Sequence, residues 1–215
     1  MRSLALILPA APHRRERPPL TPGWIHEVKF DGFRAQLHKI SARVKLLSKN
    51  GNDFTQHYPM IAAAAKALSA REAIIDAELV ACSNSGLPNF YRLLSGKAEP
   101  YEPCLWAFDL LHLNGRDLRD RRLMERKGRL LALLDRAPSQ AIRPTKGFID
   151  PLRLLAECEK RKLEGIVSKR IDAPYCSGDR TDWIKVKSQS WREANKGRWR
   201  LFEKSRRTAR SSNGS

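Results

Sequence analysis

Residues 27–34 of this chain follow the pattern E-x-K-x-D-G-x-R, which combines an amine, two carboxylates and a guanidinium. On a strand, alternate side chains point to the same face, so Glu27, Lys29 and Asp31 lie together. The glycine permits a tight turn, after which the planar guanidinium of Arg34 suits a phosphate. We interpret Lys29 as a nucleophile, which requires desolvation or neighbouring cations to lower the pKa of its amine. A solvated hairpin with an Asp-Gly turn is the competing interpretation of this octet alone.

The overall charge favours a polyanionic partner. The chain has 215 residues, with 41 Lys or Arg against 23 Asp or Glu and a formal net charge of +18. Such a balance is typical of proteins that bind nucleic acid, although a merely soluble basic protein has it too, and it does not distinguish DNA from RNA. No stretch approaches the roughly twenty apolar residues of a membrane span.

The four cysteines are widely spaced, without a C-x-x-C pair. This spacing indicates neither a zinc site nor a disulfide framework, and it fits a reducing, cytoplasmic location. The apolar run 4–8 leads into prolines and arginines, unlike a signal peptide. We expect it to form a strand or a surface-packed arm.

Hydrophobic periodicity predicts a mixed fold. Alternation predicts strands at 24–30, 34–40, 43–49, 73–81, 105–110, 165–169 and 183–187. Helices are predicted at 57–70, 89–95, 121–136 and 151–162. Strands and helices without strict β-α repetition predict an α+β fold around antiparallel sheets.

The end of the chain differs in character from the rest, so we divide the chain into a domain at 1–187 and a basic tail at 188–215. The tail has eight basic residues against two acidic ones. Trp191, Arg198 or Trp199, and Phe202 fall near helical spacing, which predicts a basic amphipathic helix before a serine-rich end. The helix could dock on the domain through its aromatic residues or contact nucleic acid directly.

Two further segments place useful side chains on predicted strands. Asp76 and Glu78 share a face, and Glu78 could accept hydrogen bonds from ribose hydroxyls, although a solvated acidic pair is the commoner arrangement. Phe108, in the run Phe-Asp-Leu-Leu, could stack on a purine base or belong to the core.

Two later strands combine carboxylate and ammonium groups. Glu164 comes just before a predicted strand and suits Mg²⁺, while Lys169 at its end suits a nucleotide. Lys185 and Lys187 share one face of the last strand. Two lysines side by side repel each other unless an anion such as a phosphate lies between them.

Together, these five elements in this order resemble the nucleotidyltransferase domain of ATP-dependent DNA ligases, above all the ligase domain of bacterial end-joining ligases of the ligase D type. The family motifs K-x-D-G-x-R, D-G-E, F-D, E-G-x-V-x-K and W-x-K-x-K match 29–34, 76–78, 108–109, 164–169 and 183–187. The resemblance covers about 18–187 and implies an ATP-grasp-like nucleotidyltransferase fold of mostly antiparallel sheets flanked by helices.

The resemblance implies that Lys29 attacks the α-phosphate of ATP to form lysyl-AMP, and that AMP then passes to a DNA 5′-phosphate for strand joining in DNA repair. The implied catalytic residues are Lys29, Asp31 and Arg34. The implied nucleotide-binding residues are Glu27, Lys29, Arg34, Glu78, Phe108, Val167, Lys169, Lys185 and Lys187. The implied ligands of a divalent metal, Mg²⁺ or Mn²⁺, are Glu164 and Asp31. The resemblance implies DNA binding by Lys49, and the charge of the basic tail predicts DNA binding by Arg192, Arg198 and Arg200.

Individual roles follow from the same resemblance. Glu27 would bind the adenine amino group, and Phe108 and Val167 would enclose the base from its two faces. Arg34 and Glu78 would hold the ribose. The two lysines of the last motif would bind the α-phosphate.

The sequence departs from the family pattern in three places. Lys49 stands where the family has the arginine of an Arg-Asn-Gly run, and Ala77 stands where glycine is usual. Only 28 residues follow Lys187, too few for the OB barrel that comes next in the family. We therefore expect either a partner protein that supplies the barrel or a partial substitute in the basic tail. A non-catalytic module that binds DNA ends, and an RNA ligase or capping-type nucleotidyltransferase, are the alternative functions.

Overall fold

The computed structural model describes residues 4–83, 93 and 101–197, and the fold below concerns these residues. The strands, in chain order, are β1 (Ala10–Arg14), β2 (Trp24–Lys29), β3 (Phe33–Ile40), β4 (Arg43–Ser48), β5 (Glu72–Ser83), β6 (Tyr101–Leu113), β7 (Arg116–Asp117), β8 (Ile142–Pro144), β9 (Gly165–Arg170) and β10 (Gly178–Lys187). The helices are α1 (Pro59–Ala67), α2 (Leu123–Asp135), α3 (Pro151–Lys160) and α4 (Gln189–Ala194), with a 3-10 turn at Thr55–His57.

The strands of the described residues form two sheets. One has the order β1-β10-β9-β2, and the other has the order β4-β3-β5-β6-β7, with β8 beside β6. Pairing is antiparallel except for β1 with β10 and β8 with β6, which are parallel. This mixture of antiparallel sheets and flanking helices confirms the α+β prediction.

The predicted strands are all present among the described residues, and β6 and β10 are longer than predicted. The predicted helices at 57–70, 121–136 and 151–162 correspond to the 3-10 turn with α1, to α2 and to α3. The predicted helix at 89–95 lies outside the described residues, except for residue 93. The strands β1, β7 and β8 were not predicted, because they are short and polar or contain proline.

Period-two alternation decides which face of the second sheet is core. Leu37 on β3 and Ile75 and Leu79 on β5 are buried and pack with Ile61 of α1 and Leu130 of α2. Residues at the intervening positions therefore face away from the helices and towards the first sheet.

The first sheet has the same division. On one face, Ile166, Ile184 and Val186 pack with Leu154 and Cys158 of α3. The N-terminus of α3 is capped by an aspartate, Asp150, whose side chain accepts hydrogen bonds from two backbone N–H groups of the first turn. The opposite face of the sheet turns towards the second sheet, so polar residues of both sheets face each other.

Both ends of the described chain pack on this body. The run 4–8 is an arm without strand structure, and Leu4 and Ile7 pack against a buried cluster that includes Phe108 and Trp183. In α4, the indole of Trp191 donates a hydrogen bond to Asp31 at 3.2 Å. The described start of the tail thus docks on the domain, as one of the two sequence interpretations proposed. Within the described ranges, no helix has the length and apolar character needed to span a membrane.

Candidate active site

A cavity of about 550 Å³ opens between the two sheets. Its walls come from β1, β2, β3, β5, β6, β9 and β10, together with residues 8–9 at the end of the arm. Eight of the nine residues predicted to bind a nucleotide line it: Glu27, Lys29, Arg34, Glu78, Phe108, Val167, Lys169 and Lys185. The structure therefore brings together side chains that lie up to 158 positions apart in the sequence.

Strand register sets the order of these side chains. On β9, Val167 lies between Glu27 of β2 and Lys185 of β10. Two residues earlier, Gly165 lies between Lys29 and Lys187 in the same way. Residues directly opposite each other in a sheet share a face, so both rows point into the space between the sheets.

Glycine is required at the centre of the second row. Gly165 has φ +142°, and a Cβ there would lie 2.1 Å from the carbonyl oxygen of Val186. Because no side chain occupies this position, Lys29 and Lys187 approach the same carboxylate from opposite sides.

That carboxylate belongs to Glu164, the residue before β9. Its Oε2 accepts a hydrogen bond from Lys29 Nζ at 2.6 Å, and its Oε1 lies 3.0 Å from Lys187 Nζ. We call these three residues the Glu164 bridge. The side chain of Glu164 is buried, whereas those of Lys29 and Lys187 are 22% and 24% exposed. Burial, followed by the charges of Lys29 and Lys187, lowers the pKa of neighbouring Lys185.

The opposite end of the cavity has a second carboxylate between two lysines. Glu27 Oε1 accepts a hydrogen bond from Lys127 Nζ at 2.5 Å, and Glu27 Oε2 accepts one from Lys169 Nζ at 2.7 Å. We call these three residues the Glu27 bridge, and no side chain in it is more than 7% exposed. Burial opposes ionisation of Glu27, but the two ammonium groups outweigh it and lower the pKa. Burial lowers the pKa of Lys169 to about 8.

Phe108 reaches the cavity because of a β-bulge. On β5, Ala77 pairs with Ala107 and Asp76 pairs with Asp109, so Phe108 is the extra residue between them. A bulge re-aims the side chain of its extra residue. The centre of the ring lies 4.4 Å from Lys169 Nζ. Enclosure of a base between Phe108 and Val167 stays a prediction.

Arg34 differs from the sequence expectation of a fork aimed at a phosphate. Its Nε and Nη2 donate to the two carboxylate oxygens of Asp76 at 2.7 and 2.6 Å. Asp76 is fully buried and also accepts a hydrogen bond from the hydroxyl of Tyr175 at 2.6 Å. Burial opposes the charge of Arg34, but Asp76 outweighs burial and raises the pKa of the guanidinium. The guanidinium carbon lies 4.4 Å from the centre of the Phe108 ring, so this pair supports the cavity wall.

Of the remaining predicted residues, Glu78 and Lys49 line the cavity. Burial raises the pKa of Glu78, on its wall, to about 7, against the opposing effect of Lys29. Lys49 is exposed at the cavity, and Asp31 accepts the indole hydrogen bond of α4. Arg192 pairs with the exposed Glu16 at 2.9 Å. The other two predicted DNA-binding residues, Arg198 and Arg200, lie outside the described residues.

Sequence reasoning missed three parts of this site: Lys127, Thr145 and the arm. Lys127 occupies a position on α2 whose neighbours at helical spacing, Leu123, Leu130 and Leu134, are buried. A lysine on the core-facing side of an amphipathic helix was the available signal, because a buried ammonium requires a partner. Thr145 and the arm have no comparable signal.

Comparison with known proteins identifies the family. Residues 19–187 match the model of a family described as "ATP dependent DNA ligase domain". The multifunctional non-homologous end joining protein LigD of Pseudomonas aeruginosa is 37% identical over 169 residues, which is 77% of this chain and 20% of that protein. The LigD DNA repair protein of Mycobacterium tuberculosis is 35% identical over 182 residues, 84% of this chain and 24% of that protein. The chain thus spans about a quarter or less of the length of these relatives.

A solved structure with the same architecture is a mycobacterial DNA ligase D complexed with ATP and MES. It has a TM-score of 0.72 and 27% identity, and the match covers 84% of this chain and 60% of that one. This likeness shows the α+β ligase adenylation fold, a curled antiparallel sheet with flanking helices. Since the family match includes every motif described above, from Lys29 to Lys187, the chain belongs to the family of ATP-dependent DNA ligase domains.

Proposed function

We propose that the chain is a DNA ligase-type nucleotidyltransferase that forms lysyl-AMP from ATP and transfers AMP to a DNA 5′-phosphate for strand joining in repair. The single observation that supports this most is the place of Lys29, on the wall of the cavity, among the ammonium groups of Lys185 and Lys187. The cavity volume lies within the range of small-ligand sites, about 300–1,000 Å³. The ATP-grasp-like character of the fold and the ATP specificity are part of the same proposal.

ATP would lie along the cavity with its base at the Glu27 bridge. Phe108 and Val167 offer apolar surface to the two faces of the ring. The triphosphate would then extend to Lys185 and the Glu164 bridge, where ammonium groups outnumber carboxylates. The apolar surface thus matches the base of ATP, and the ammonium groups match the negative charge of its triphosphate.

In the first step, the lone pair of Lys29 Nζ attacks the α-phosphorus. The N–P bond forms, the bond from the α-phosphorus to the bridging oxygen breaks, and pyrophosphate leaves with the electron pair. Lys29 must first lose a proton to solvent, which frees Glu164, whose Oε2 lies 2.6 Å away, to hold the cation. Lys185 and Lys187 would stabilise the negative charge that develops on the phosphoryl oxygens.

In the later steps, an oxygen of the DNA 5′-phosphate attacks the same phosphorus and displaces Lys29, which regains its free amine. A 3′-hydroxyl then displaces AMP and joins the strands. The formal charge of +18 supports a DNA substrate. Lys49 and Arg192 are the described residues that we assign to DNA contact.

A divalent cation, Mg²⁺ or Mn²⁺, is also part of the proposal. Within 4–83, 93 and 101–197, no three His, Cys, Asp or Glu side chains form a metal cage. This fits a cation that uses one or two carboxylates together with substrate phosphates and water. Glu164 and Asp31 would hold it, and once bound it would offset charge on the phosphoryl oxygens.

The test is protein labelling. Purified chain is incubated with ATP labelled at the α-phosphate and with Mg²⁺, denatured, and measured for label bound to protein. We expect label on the wild type, none on Lys29→Ala, and wild-type labelling on the control Lys45→Ala, whose side chain is 67% exposed. Labelled protein should then pass AMP to nicked DNA with a 5′-phosphate. An unlabelled wild type that still binds DNA ends would instead favour the non-catalytic module.

A further inference from the structure

We propose that Lys127 is a positioning residue for nucleobase recognition, one that acts by holding the carboxylate of Glu27 towards the 6-amino group of adenine. The inference rests on the proposed function, because it assumes that the base lies at the Glu27 bridge. It assigns a role to a helix that contains none of the family motifs described above.

The position of Lys127 behind the cavity wall supports a positioning role. Glu27 and Thr145 line the cavity, and Lys127 Nζ contacts both, at 2.5 Å to Glu27 Oε1 and 3.3 Å to Thr145 Oγ1. The ammonium is buried, and a buried charge is costly unless it is paired and hydrogen-bonded. The bond to Glu27 is therefore a fixed part of the fold, present before any base enters.

The residue before Lys127 fixes another wall of the same site. Arg126 is fully buried and donates from Nε and Nη2 to Asp109 at 2.8 and 2.9 Å. Asp109 directly follows Phe108 at the bulge. Consecutive residues of α2 thus hold the carboxylate and the aromatic ring that would contact the base.

The charge state of Glu27 is what Lys127 would control. An ionised carboxylate accepts hydrogen bonds only, and so it suits the N–H donors of the 6-amino group. Burial favours the protonated form, and the two ammonium groups oppose it. Lys169 alone would stabilise the negative charge of Glu27 less, because burial lowers the pKa of Lys169 to about 8 and so favours its uncharged form. Loss of Lys127 would therefore leave Glu27 partly protonated. Its O–H donor would then face the N–H donors of the 6-amino group.

The experiment measures base discrimination at equilibrium, in a Lys29→Ala background that prevents chemistry. Dissociation constants are determined for ATP and for purine riboside triphosphate, which lacks the 6-amino group. We expect the parent to prefer ATP by about tenfold and Lys127→Met to reduce this preference to about twofold or less. Arg129→Met, which removes an exposed cation of the same helix, should keep the preference.

A double variant separates positioning from structural damage. If Lys127 acts through Glu27, Lys127→Met should not change the preference further in a Glu27→Gln background. A merely structural role would weaken both nucleotides equally and leave the preference intact, and this result in Lys127→Met would overturn the inference. If that variant does not fold, Lys127→Gln gives the same ratio test. Failure of the wild type to become labelled by ATP would instead refute the proposed function itself.

Discussion

The two ends of the cavity are built from the same three groups, a carboxylate between two ammonium ions, but they differ in burial. In the Glu27 bridge every side chain is shielded from solvent, whereas in the Glu164 bridge Lys29 and Lys187 remain partly exposed. A buried bridge cannot exchange its partners without leaving a charge uncompensated. An accessible one can exchange a carboxylate for a phosphate. Burial therefore supports the proposal that the first bridge serves rigid recognition and the second serves chemistry.

The two bridges are also reciprocal. Strand β2 provides the carboxylate of one, Glu27, and the proposed nucleophile of the other, Lys29. The segment around β9 provides the opposite pair, Glu164 and Lys169. Because β2 and β9 are antiparallel, Glu27 meets Lys169 and Lys29 meets Glu164. A change in register would therefore break both bridges at once.

The largest effect should come from Glu164→Gln in the Glu164 bridge. Loss of the carboxylate removes the hydrogen-bond partner that holds Lys29 and a proposed metal ligand, so the rate of protein labelling should fall about 10³-fold. The free energy of unfolding should fall by only about 1 kcal/mol, because the released lysines reach solvent. Rapid-quench labelling and urea denaturation measure the two quantities.

The control for this variant is Glu157→Gln, which removes an exposed carboxylate paired with Arg161 on α3. Labelling at wild-type rate is expected there. If Glu164→Gln lost stability as strongly as activity, the assignment of this bridge to chemistry would be wrong.

Gly165→Ala should disturb strand packing at the position between Lys29 and Lys187. The new Cβ would lie 2.1 Å from a backbone oxygen, so the two strands must shift, and we expect a loss of about 4 kcal/mol in unfolding free energy. Gly178→Ala is the matched control, since Gly178 also has a positive φ, +84°, but open space around its Cβ position. That control should lose about 1 kcal/mol. Equal losses in the two variants would show that backbone conformation, rather than close packing at β10, limits this position.

Glu27→Gln should reverse the pattern of Glu164→Gln. It leaves Lys127 and Lys169 buried around a neutral amide, and we expect a loss of about 3 kcal/mol in unfolding free energy. Its labelling rate at saturating ATP should fall less than that of Glu164→Gln, because no reacting atom contacts Glu27. A labelling defect larger than that of Glu164→Gln, in folded protein, would contradict the division between the two bridges.

The contrast also explains how much the sequence could predict. Glu27, Lys29, Lys185 and Lys187 were predicted because each lies on a strand whose alternation is visible locally. Glu164 was found through its motif. The predicted elements agree with the described structure for the same reason, since periodicity is a property of a short segment.

Contacts between distant segments were not predictable. The partner of Glu27 on α2 lies 100 residues away, and no pattern connects the two. The place of Phe108 depends on a bulge, which is a property of strand pairing rather than of one strand. Arg34 was expected to face a phosphate. It lies opposite Glu78 in the pairing of β3 with β5, yet it donates to Asp76, the neighbour on the same face.

The smallest effect concerns Glu78, a carboxylate that lines the cavity near Lys29. Burial raises its pKa to about 7, and Lys29 lowers it. Below pH 7 the carboxyl is neutral, and above it Glu78 adds a negative charge to the cavity that would bind the triphosphate. The affinity for α,β-methylene-ATP should therefore fall about threefold as the pH rises from 6 to 8.5, and Glu78→Gln should flatten the profile. Lys29→Ala removes the cation that lowers this pKa, so the fall in affinity should move to higher pH. If the pH profile of affinity stayed unchanged in Lys29→Ala, Glu78 would titrate independently of the Glu164 bridge.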